Sequence, residues 1–371
     1  MSEAIFSDLP LQDAVPLGDL RRALVVKLRH HGDVLLASPV FKVLKNHAPT
    51  LEIDALVYAD TAQMLTLHPS IDQVHGIDRG WKDSGFLAQA GAEWALLRTL
   101  QRRRYDLLLH LTEHPRGAWL ARALRPRFAV APKLAHRGRF WRTSFTHLYA
   151  QPSNARRHTV ERNLDALRRI GLYPNESERR LVLVPGPEAE VRIMTLLKKH
   201  GLDADGFIHI HPSSRWMFKC WPAEKTVQLI SRLQAAGRRV VLTAAPDRHE
   251  MQLVQAINAR LNSPVTNLAG QLSLKELAAL TARARVFIGV DSAPMHVAAA
   301  MQTPTVALFG PSGELEWRPW QVAHFVIASD HHPCRPCGID GCGGGKVSEC
   351  LTTLPVEPVL EAVNDLLRDS Q

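Results

Sequence analysis

The chain has 371 residues, of which 46% are hydrophobic and 22% charged, as is usual for a soluble globular protein. A single hydrophobic core rarely stabilises a chain of this length, so two domains are expected. No apolar stretch reaches the roughly 18 residues of a membrane span, and the N-terminal MSEAIFSDLPLQDAVPLGDL lacks the positive start and apolar centre of a secretory signal, which predicts a cytoplasmic protein.

The net charge of +9 comes entirely from the first half of the chain. Residues 1–180 contain 27 Lys and Arg against 18 Asp and Glu, whereas the remaining 191 residues contain 18 of each. Residues 98–142 alone hold twelve basic side chains and only two acidic ones. Such a field attracts nucleic acid, an acidic membrane surface or a phosphorylated substrate, and charge alone does not separate these three partners.

Short β-branched runs alternate with amphipathic stretches along the first half, a pattern typical of α/β folds with parallel sheets. Helices are predicted at 86–104 and 158–170. The polar, proline-rich segment YPNESERRLVLVPGPEAE then predicts a boundary within 173–187, dividing the chain into domains 1–178 and 179–371. The strands predicted in the first domain are 23–28, 51–57, 74–77, 106–110 and 127–130.

The second half repeats this alternation without a residue-level repeat. We therefore expect two doubly wound, Rossmann-like domains that face one another across a cleft, with ligands at the carboxyl ends of the strands. A last amphipathic helix, 356–367, could pack back on the first domain. The other predicted helices are 223–236, 248–261, 274–284 and 294–301, and the predicted strands are 207–211, 240–244, 265–268, 286–290 and 305–309.

The stretch KLRHHGDVLLASP follows the first predicted strand and opens a helix. Gly32 permits close approach of a substrate, and Asp33 in the first helical turn could accept the proton of an attacking hydroxyl, as a general base does. His30 and His31 are weaker candidates for that role. Alternatively, Asp33 only complements the helix dipole, which favours acids in the first turn.

The stretch VFIGVDSAPMHVAAAM predicts a phosphate site in the second domain. A strand ends at Asp291, Ser292 and Ala293 form a turn, and a helix begins near Pro294, a favoured first-turn residue. Backbone N–H groups and the positive dipole at a helix start suit a phosphate. Asp291 and His296 would then face the group that carries it. The alternative is an ordinary strand–helix junction in which Asp291 caps the helix.

A second strand end in the same domain reads HPSSRWMFKCWPAE. The hydroxyls of Ser213 and Ser214 and the charges of Arg215 and Lys219 precede a helix start, an arrangement that suits a pyrophosphate. Together with the turn at Asp291 this predicts a nucleoside diphosphate pocket. A third strand end, TAAPDRHE, offers Asp247 to ribose hydroxyls, or else as a helix cap.

Two common nucleotide motifs do not occur in the sequence. No Gly-x-Gly-x-x-Gly follows the first strand, which disfavours a dinucleotide oxidoreductase, and no Gly-x4-Gly-Lys-Ser/Thr is found. The basic region has few interleaved aromatic residues and no recognisable nucleic-acid motif, which disfavours a nucleic-acid partner.

Taken in order, KLRHHGDVLLASPV, HPSSRWMFKCWP, FIGVDSAPMHVAAA and EWRPW resemble the family 9 glycosyltransferases, the bacterial lipopolysaccharide heptosyltransferases. The resemblance extends over essentially the whole chain. Within the family, SFTHLYA, HTVERNL, FKCW and WRPW are most similar to heptosyltransferase III, which adds a branch heptose to the second heptose of the inner core.

The resemblance implies a GT-B fold and an inverting, metal-independent transfer from ADP-heptose. The first domain would bind the lipid A-linked core, with His30, His31 and Arg116 as candidate contacts, and the second would bind the donor. Asp33 matches the family's general base, and the enzyme would lie on the anionic cytoplasmic face of the inner membrane. The sequence motifs and the resemblance together give these donor-binding candidates: Ser213, Ser214, Arg215, Lys219, Asp247, Asp291, Ser292, Ala293 and His296.

Four of the five cysteines follow one another at x2, x4 and x7 spacings within a Gly-rich loop. Such thiolates could bind a structural zinc ion, although the spacing is irregular and cytosolic thiols normally stay reduced. Other hypotheses also stay open: a heptosyltransferase I or II step on a shorter core, or a non-catalytic nucleotide-sugar binding or scaffold protein. The cysteines are Cys334, Cys337, Cys342 and Cys350.

Overall fold

A computed structural model describes residues 13–151, 156–204 and 206–369. They form two units, each built on its own parallel sheet. The described residues of the first unit lie within 13–151 and Thr159–Val182, and those of the second are 156–158 and the chain from Leu183 onward. Within the described residues, no helix has the length and apolar content needed to cross a bilayer.

The first unit has six parallel strands in the order β3-β2-β1-β4-β5-β6. This is the strand order of Rossmann folds, in which the order reverses between β1 and β4. The strands are β1 (Arg22–Val26), β2 (Glu52–Tyr58), β3 (Gln73–Ile77), β4 (Leu107–His110), β5 (Phe128–Pro132) and β6 (His147–Tyr149). The helices are α1 (His31–Leu35), α2 (Ser38–His47), α3 (Phe86–Arg103), α4 (Arg116–Leu124), α5 (Arg139–Arg142) and α6 (Thr159–Arg168).

The second unit repeats the same topology, in the order β12-β11-β10-β7-β8-β9. Its order reverses between β7 and β10. The strands are β7 (Phe207–His211), β8 (Arg239–Leu242), β9 (Thr266–Asn267), β10 (Val286–Val290), β11 (Thr305–Phe309) and β12 (His324–Ala328). The helices are α7 (Pro187–Lys199), α8 (Ala223–Ala235), α9 (Arg248–Asn258), α10 (Leu274–Thr281), α11 (Ala293–Ala300), α12 (Glu314–Trp317), α13 (Glu349–Thr352) and α14 (Glu357–Asp369).

Burial on both faces explains the continuous apolar strands of the second unit. In β7, Ile208 and Ile210 pack into the core beneath α8, α9 and α14, while Phe207 points to the opposite face, beneath α7 and α10. Successive side chains of a strand point to opposite faces, so a strand covered on both sides needs apolar residues throughout. The α/β prediction with two doubly wound parallel sheets is therefore confirmed.

Candidate active site

Asp33 lies in the first turn of α1, just beyond the carboxyl end of β1. The strand order reverses beside β1, and open α/β sheets bind their ligands at this edge. The Asp33 side chain is only partly buried, so a substrate hydroxyl can reach it. This position suits a general base, although the role of Asp33 stays a prediction.

Lys27, which the sequence analysis did not single out, is buried beside Asp33. Its ammonium group donates to the Leu111 carbonyl oxygen at 3.2 Å and to Asn163 Oδ1 at 2.9 Å. Burial lowers the pKa of Lys27 to about 8, and the negative charge of Asp33 opposes this shift. The sequence signal was a lysine directly after the apolar run ALVV, which ends β1.

The lowered pKa of Lys27 predicts a pH-dependent stability. Between pH 8 and 10.5 the unfolded chain binds more protons at this site than the folded chain, so Lys27 makes the unfolding free energy rise with pH. From pH 7.5 to 9.5 the rise should be about 2 kcal/mol greater in the wild type than in Lys27→Met. Urea unfolding of both proteins at the two pH values measures this difference. Parallel changes in both proteins would contradict it.

The other first-unit candidates are held by neighbours in the same unit. The His31 Nε2 atom lies 2.9 Å from the Asp60 carbonyl oxygen, and His30 is exposed at the N-cap position of α1. The Arg116 guanidinium pairs with Glu93 at 2.6 Å. All three residues lie near carboxyl ends of strands of the first sheet. Acceptor contacts by these residues stay predictions.

A basic cavity of about 550 Å³ lies where β5 and β6 end. Lys133, His136, Arg137 and Arg142 line it, and none of the described residues in its lining is acidic. One terminal nitrogen of Arg137 donates to the Glu113 carbonyl oxygen at 2.8 Å, while the buried Arg137 Nε finds no partner among the described residues. The cavity can therefore accommodate an anionic group. The cluster of basic residues in the sequence signalled this property, but not the cavity.

In the second unit, an ion pair joins two of the predicted donor residues. The Lys219 ammonium lies 2.6 Å from Asp291 Oδ2. Lys219 follows β7 and Asp291 follows β10, the neighbouring strands between which the order of this sheet reverses. Asp291 is buried and Lys219 is partly exposed. The pair places a positive charge at the ligand-binding edge of the sheet.

The start of α11 lies beside this ion pair. Ser292 occupies the N-cap position without forming a side-chain cap, and its buried hydroxyl has no hydrogen-bond partner among the described residues. Ala293 and Pro294 form the first turn, and His296 is buried one turn further on. Buried polar groups normally have partners. A hydroxyl without one, at a helix N-terminus, is suited to a phosphate oxygen.

The two predicted serines are buried and already hydrogen-bonded. Ser213 donates to Glu250 Oε2 at 2.6 Å, and Ser214 Oγ accepts from the Trp216 amide at 3.2 Å. Burial would raise the pKa of Glu250, but hydrogen bonds from His211 and Ser213 outweigh it and lower the pKa. No sequence pattern pointed to Glu250, a buried carboxylate near the ends of β7 and β8. Phosphate contacts by the serines stay predictions.

The two remaining donor candidates are exposed. Asp247 is the N-cap of α9, where its Oδ1 atom accepts from the amides of His249 at 2.9 Å and Glu250 at 3.3 Å. This is the capping alternative for Asp247 that the sequence left open. The guanidinium carbon of Arg215 lies 5.5 Å from the centre of the Trp216 ring. Asp247 orients the start of α9 and thereby helps to position Glu250.

All five cysteines are free thiols. Among the described residues, no three or more His, Cys, Asp or Glu side chains are arranged to hold a metal ion. A structural zinc ion held by the four loop cysteines stays a prediction. Three of the four loop thiols are exposed, whereas Cys350, in α13, is buried.

This arrangement predicts the reactivity of the thiols. Burial raises the pKa of Cys220 to about 12 and also raises that of Cys350. Because the thiolate is the reactive form, iodoacetamide at pH 8 should alkylate Cys334, Cys337 and Cys342 at least tenfold faster than Cys220 and Cys350. Peptide mass spectrometry over a time course measures the rates. Equal protection of all four loop thiols, lifted by a chelator, would instead indicate a bound metal.

Comparisons with known proteins agree with the two-unit geometry. The family model for glycosyltransferase family 9 (heptosyltransferase) matches residues 93–347. Lipopolysaccharide heptosyltransferase 3 of Escherichia coli K12 is 34% identical over 346 residues, covering 92% of this chain and 96% of that protein.

Two solved structures share the fold. The family 9 glycosyltransferase of Veillonella parvula aligns with a TM-score of 0.81 at 23% identity, over 96% of this chain and 99% of that one. The E. coli ADP-heptose lipopolysaccharide heptosyltransferase II aligns with a TM-score of 0.74 at 21% identity, over 94% and 99%. The chain belongs to glycosyltransferase family 9, the heptosyltransferases.

Proposed function

We propose that this glycosyltransferase moves L-glycero-D-manno-heptose from ADP-heptose onto the inner-core heptose of lipopolysaccharide, as a heptosyltransferase III does. The observation that carries the proposal is the Lys219–Asp291 pair beside the Ser292 hydroxyl at the start of α11, which has no hydrogen-bond partner among the described residues. The similarity to lipopolysaccharide heptosyltransferase 3, which extends over nearly the whole chain, favours this step of core assembly.

The second unit would bind the donor. The Lys219 ammonium, the Ser292 hydroxyl and the N-terminus of α11 lie at one edge of the sheet and can together meet a diphosphate. Negative charge grows on the ADP leaving group as the bond between the sugar and ADP breaks. Fixed positive groups stabilise this charge most in the transition state. In the proposed mechanism Lys219 supplies this charge, so no metal ion is required.

The first unit would bind the acceptor. Asp33 would take the proton from the attacking hydroxyl, which then displaces ADP with inversion at the anomeric carbon. The basic cavity of Lys133, His136, Arg137 and Arg142 suits the anionic groups of a phosphorylated core. A lipid A-linked acceptor would place the protein at the cytoplasmic face of the inner membrane.

A panel of donors tests the donor assignment. The purified protein is incubated with a two-heptose core acceptor and, in separate reactions, with ADP-heptose, ADP-glucose, UDP-glucose or GDP-mannose. We expect heptosylated acceptor only with ADP-heptose, at the same rate in EDTA as in Mg²⁺. Faster transfer from another donor would contradict the sugar assignment, and loss of turnover in EDTA that a metal restores would contradict metal independence.

A further inference from the structure

The first twelve residues of helix α3 in the first unit are mainly apolar, yet the helix lies almost entirely outside the core. Of its 18 residues only Leu100 is buried, and its first twelve, FLAQAGAEWALL, include the single charge of Glu93. Phe86 and Leu87 are more than 80% exposed, and Trp94 is 56% exposed. A helix on the surface of a globular fold normally packs its apolar side chains against the core. An exposed apolar surface of this size therefore indicates a binding surface for a partner or a membrane.

Aromatic residues of α4 and α5 extend this surface. Trp119 is 65% and Phe140 40% exposed, and their ring centres lie 4.7 Å apart. Between α3 and α4 lies a cavity of about 260 Å³, lined mainly by apolar side chains, with both Trp94 and Trp119 in its wall. We call the surface formed by Phe86, Leu87, Trp94, Trp119 and Phe140 the aromatic face.

The charges around the aromatic face are mostly positive. The Arg98 guanidinium carbon lies 5.5 Å from the centre of the Trp94 ring, and that of Arg122 lies 4.7 Å from the centre of the Phe140 ring. The acidic Glu93 is paired with Arg116. Nine basic residues in this part of the chain are exposed: Arg98, Arg102, Arg104, Arg122, Arg125, Arg127, Lys133, Arg139 and Arg142.

We propose that the aromatic face docks on an anionic bilayer, with α3 lying in the headgroup region and the cavity between α3 and α4 receiving part of an acyl chain. Tryptophan and phenylalanine enter the interface, while arginines remain at headgroup level and meet anionic lipids. At about 27 Å, α3 can lie along the surface. The inference rests on the proposed function, because a membrane-embedded acceptor gives the docking its purpose.

Vesicle sedimentation tests the surface without donor or acceptor. The full-length protein should bind phosphatidylglycerol/phosphatidylethanolamine vesicles at least tenfold more tightly than phosphatidylcholine vesicles. The double variant Trp94→Ser/Trp119→Ser should bind the anionic vesicles about tenfold more weakly than the wild type, and Phe86→Ser/Leu87→Ser should give a second, independent loss. The matched control Val191→Ser/Met194→Ser removes exposed apolar residues from α7 and should bind normally.

Three results would overturn the proposal. Both aromatic-face variants could bind anionic vesicles like the wild type, or the wild type could bind neither kind of vesicle. Sedimentation velocity could also reveal a dimer that Trp94→Ser/Trp119→Ser dissociates, which would assign the face to a second copy of the chain. Thermal unfolding midpoints equal to that of the wild type would show that the variants keep the fold. We expect this result because the substituted residues are exposed.

Heptose transfer assays test the docking surface and the proposed function independently. With a deacylated, water-soluble core acceptor the aromatic-face variants should turn over at the wild-type rate, whereas on acceptor embedded in anionic vesicles they should slow about tenfold. A wild type that transfers to neither acceptor, yet binds vesicles, would refute the proposed function and leave the docking surface intact. Equal slowing on both acceptors would instead refute the docking role.

Discussion

Asp33→Asn should lower kcat for heptose transfer by about 10³-fold and leave donor affinity within twofold of the wild type. A general base contributes typically 10² to 10⁴ in rate. Because asparagine keeps the shape of the side chain, the unfolding free energy should fall by no more than the roughly 0.3–1 kcal/mol of the interaction between Asp33 and the dipole of α1. Steady-state ADP release at saturating acceptor gives kcat, and calorimetric titration with ADP-heptose gives the donor Kd.

The control for this experiment is Asp19→Asn, which removes another acid of the first unit at an exposed site, in the short 3-10 turn Leu17–Asp19. It should retain wild-type kcat and Kd. A substituted Asp33 protein that keeps more than a tenth of the wild-type turnover would show that Asp33 only complements the dipole of α1. A large loss of donor affinity would show instead that Asp33 acts in donor binding.

Lys219→Met should weaken ADP-heptose binding at least tenfold and lower kcat by about 10²- to 10³-fold, the usual effect of removing a group that stabilises transition-state charge. The substitution also leaves the buried Asp291 carboxylate without its ion-pair partner at 2.6 Å. We therefore expect the unfolding free energy to fall by about 3 kcal/mol. Donor titration, ADP release and urea unfolding measure the three effects.

The double variant Lys219→Met/Asp291→Asn separates binding from stability. It removes the uncompensated buried charge, so it should recover most of the unfolding free energy while donor affinity and kcat stay low. Lys199→Met, at an exposed position of α7, is the matched control and should behave as the wild type. Donor affinity that recovers along with stability in the double variant would contradict a direct role for Lys219 at the diphosphate.

Sequence patterns located most of the sheet because buried parallel strands leave apolar runs. Three strands of the second unit, β7, β10 and β11, have the bounds predicted for them. Two edge strands were missed: β6 has three residues, and β12 is only partly buried on either face, so neither gives a strong signal. Helix α7 was also missed because the proline-rich segment before it was interpreted only as a boundary.

The candidate site was less predictable because its side chains meet across long sequence separations. Asp33, Asp291 and Ser292 follow strands at the ligand-binding edge, so local patterns identified them. Lys27, by contrast, is hydrogen-bonded to Asn163, which is far away in the sequence. Glu250 accepts a hydrogen bond from Ser213 because β7 and β8 pair side by side. No local pattern indicated that Ser213 would bond a buried carboxylate.

Heptose transfer measured on acceptors of different length tests the proposed heptosyltransferase III activity directly. ADP release from ADP-heptose would be followed with cores that end at the Kdo sugars, at one heptose and at two heptoses, with product masses determined. We expect turnover only with the two-heptose core, and a mass gain of one heptose. Turnover on a shorter core would reassign the step to a heptosyltransferase I or II type. No turnover on any core, with ADP-heptose binding intact, would contradict an enzymatic role and favour a nucleotide-sugar binding or scaffold protein.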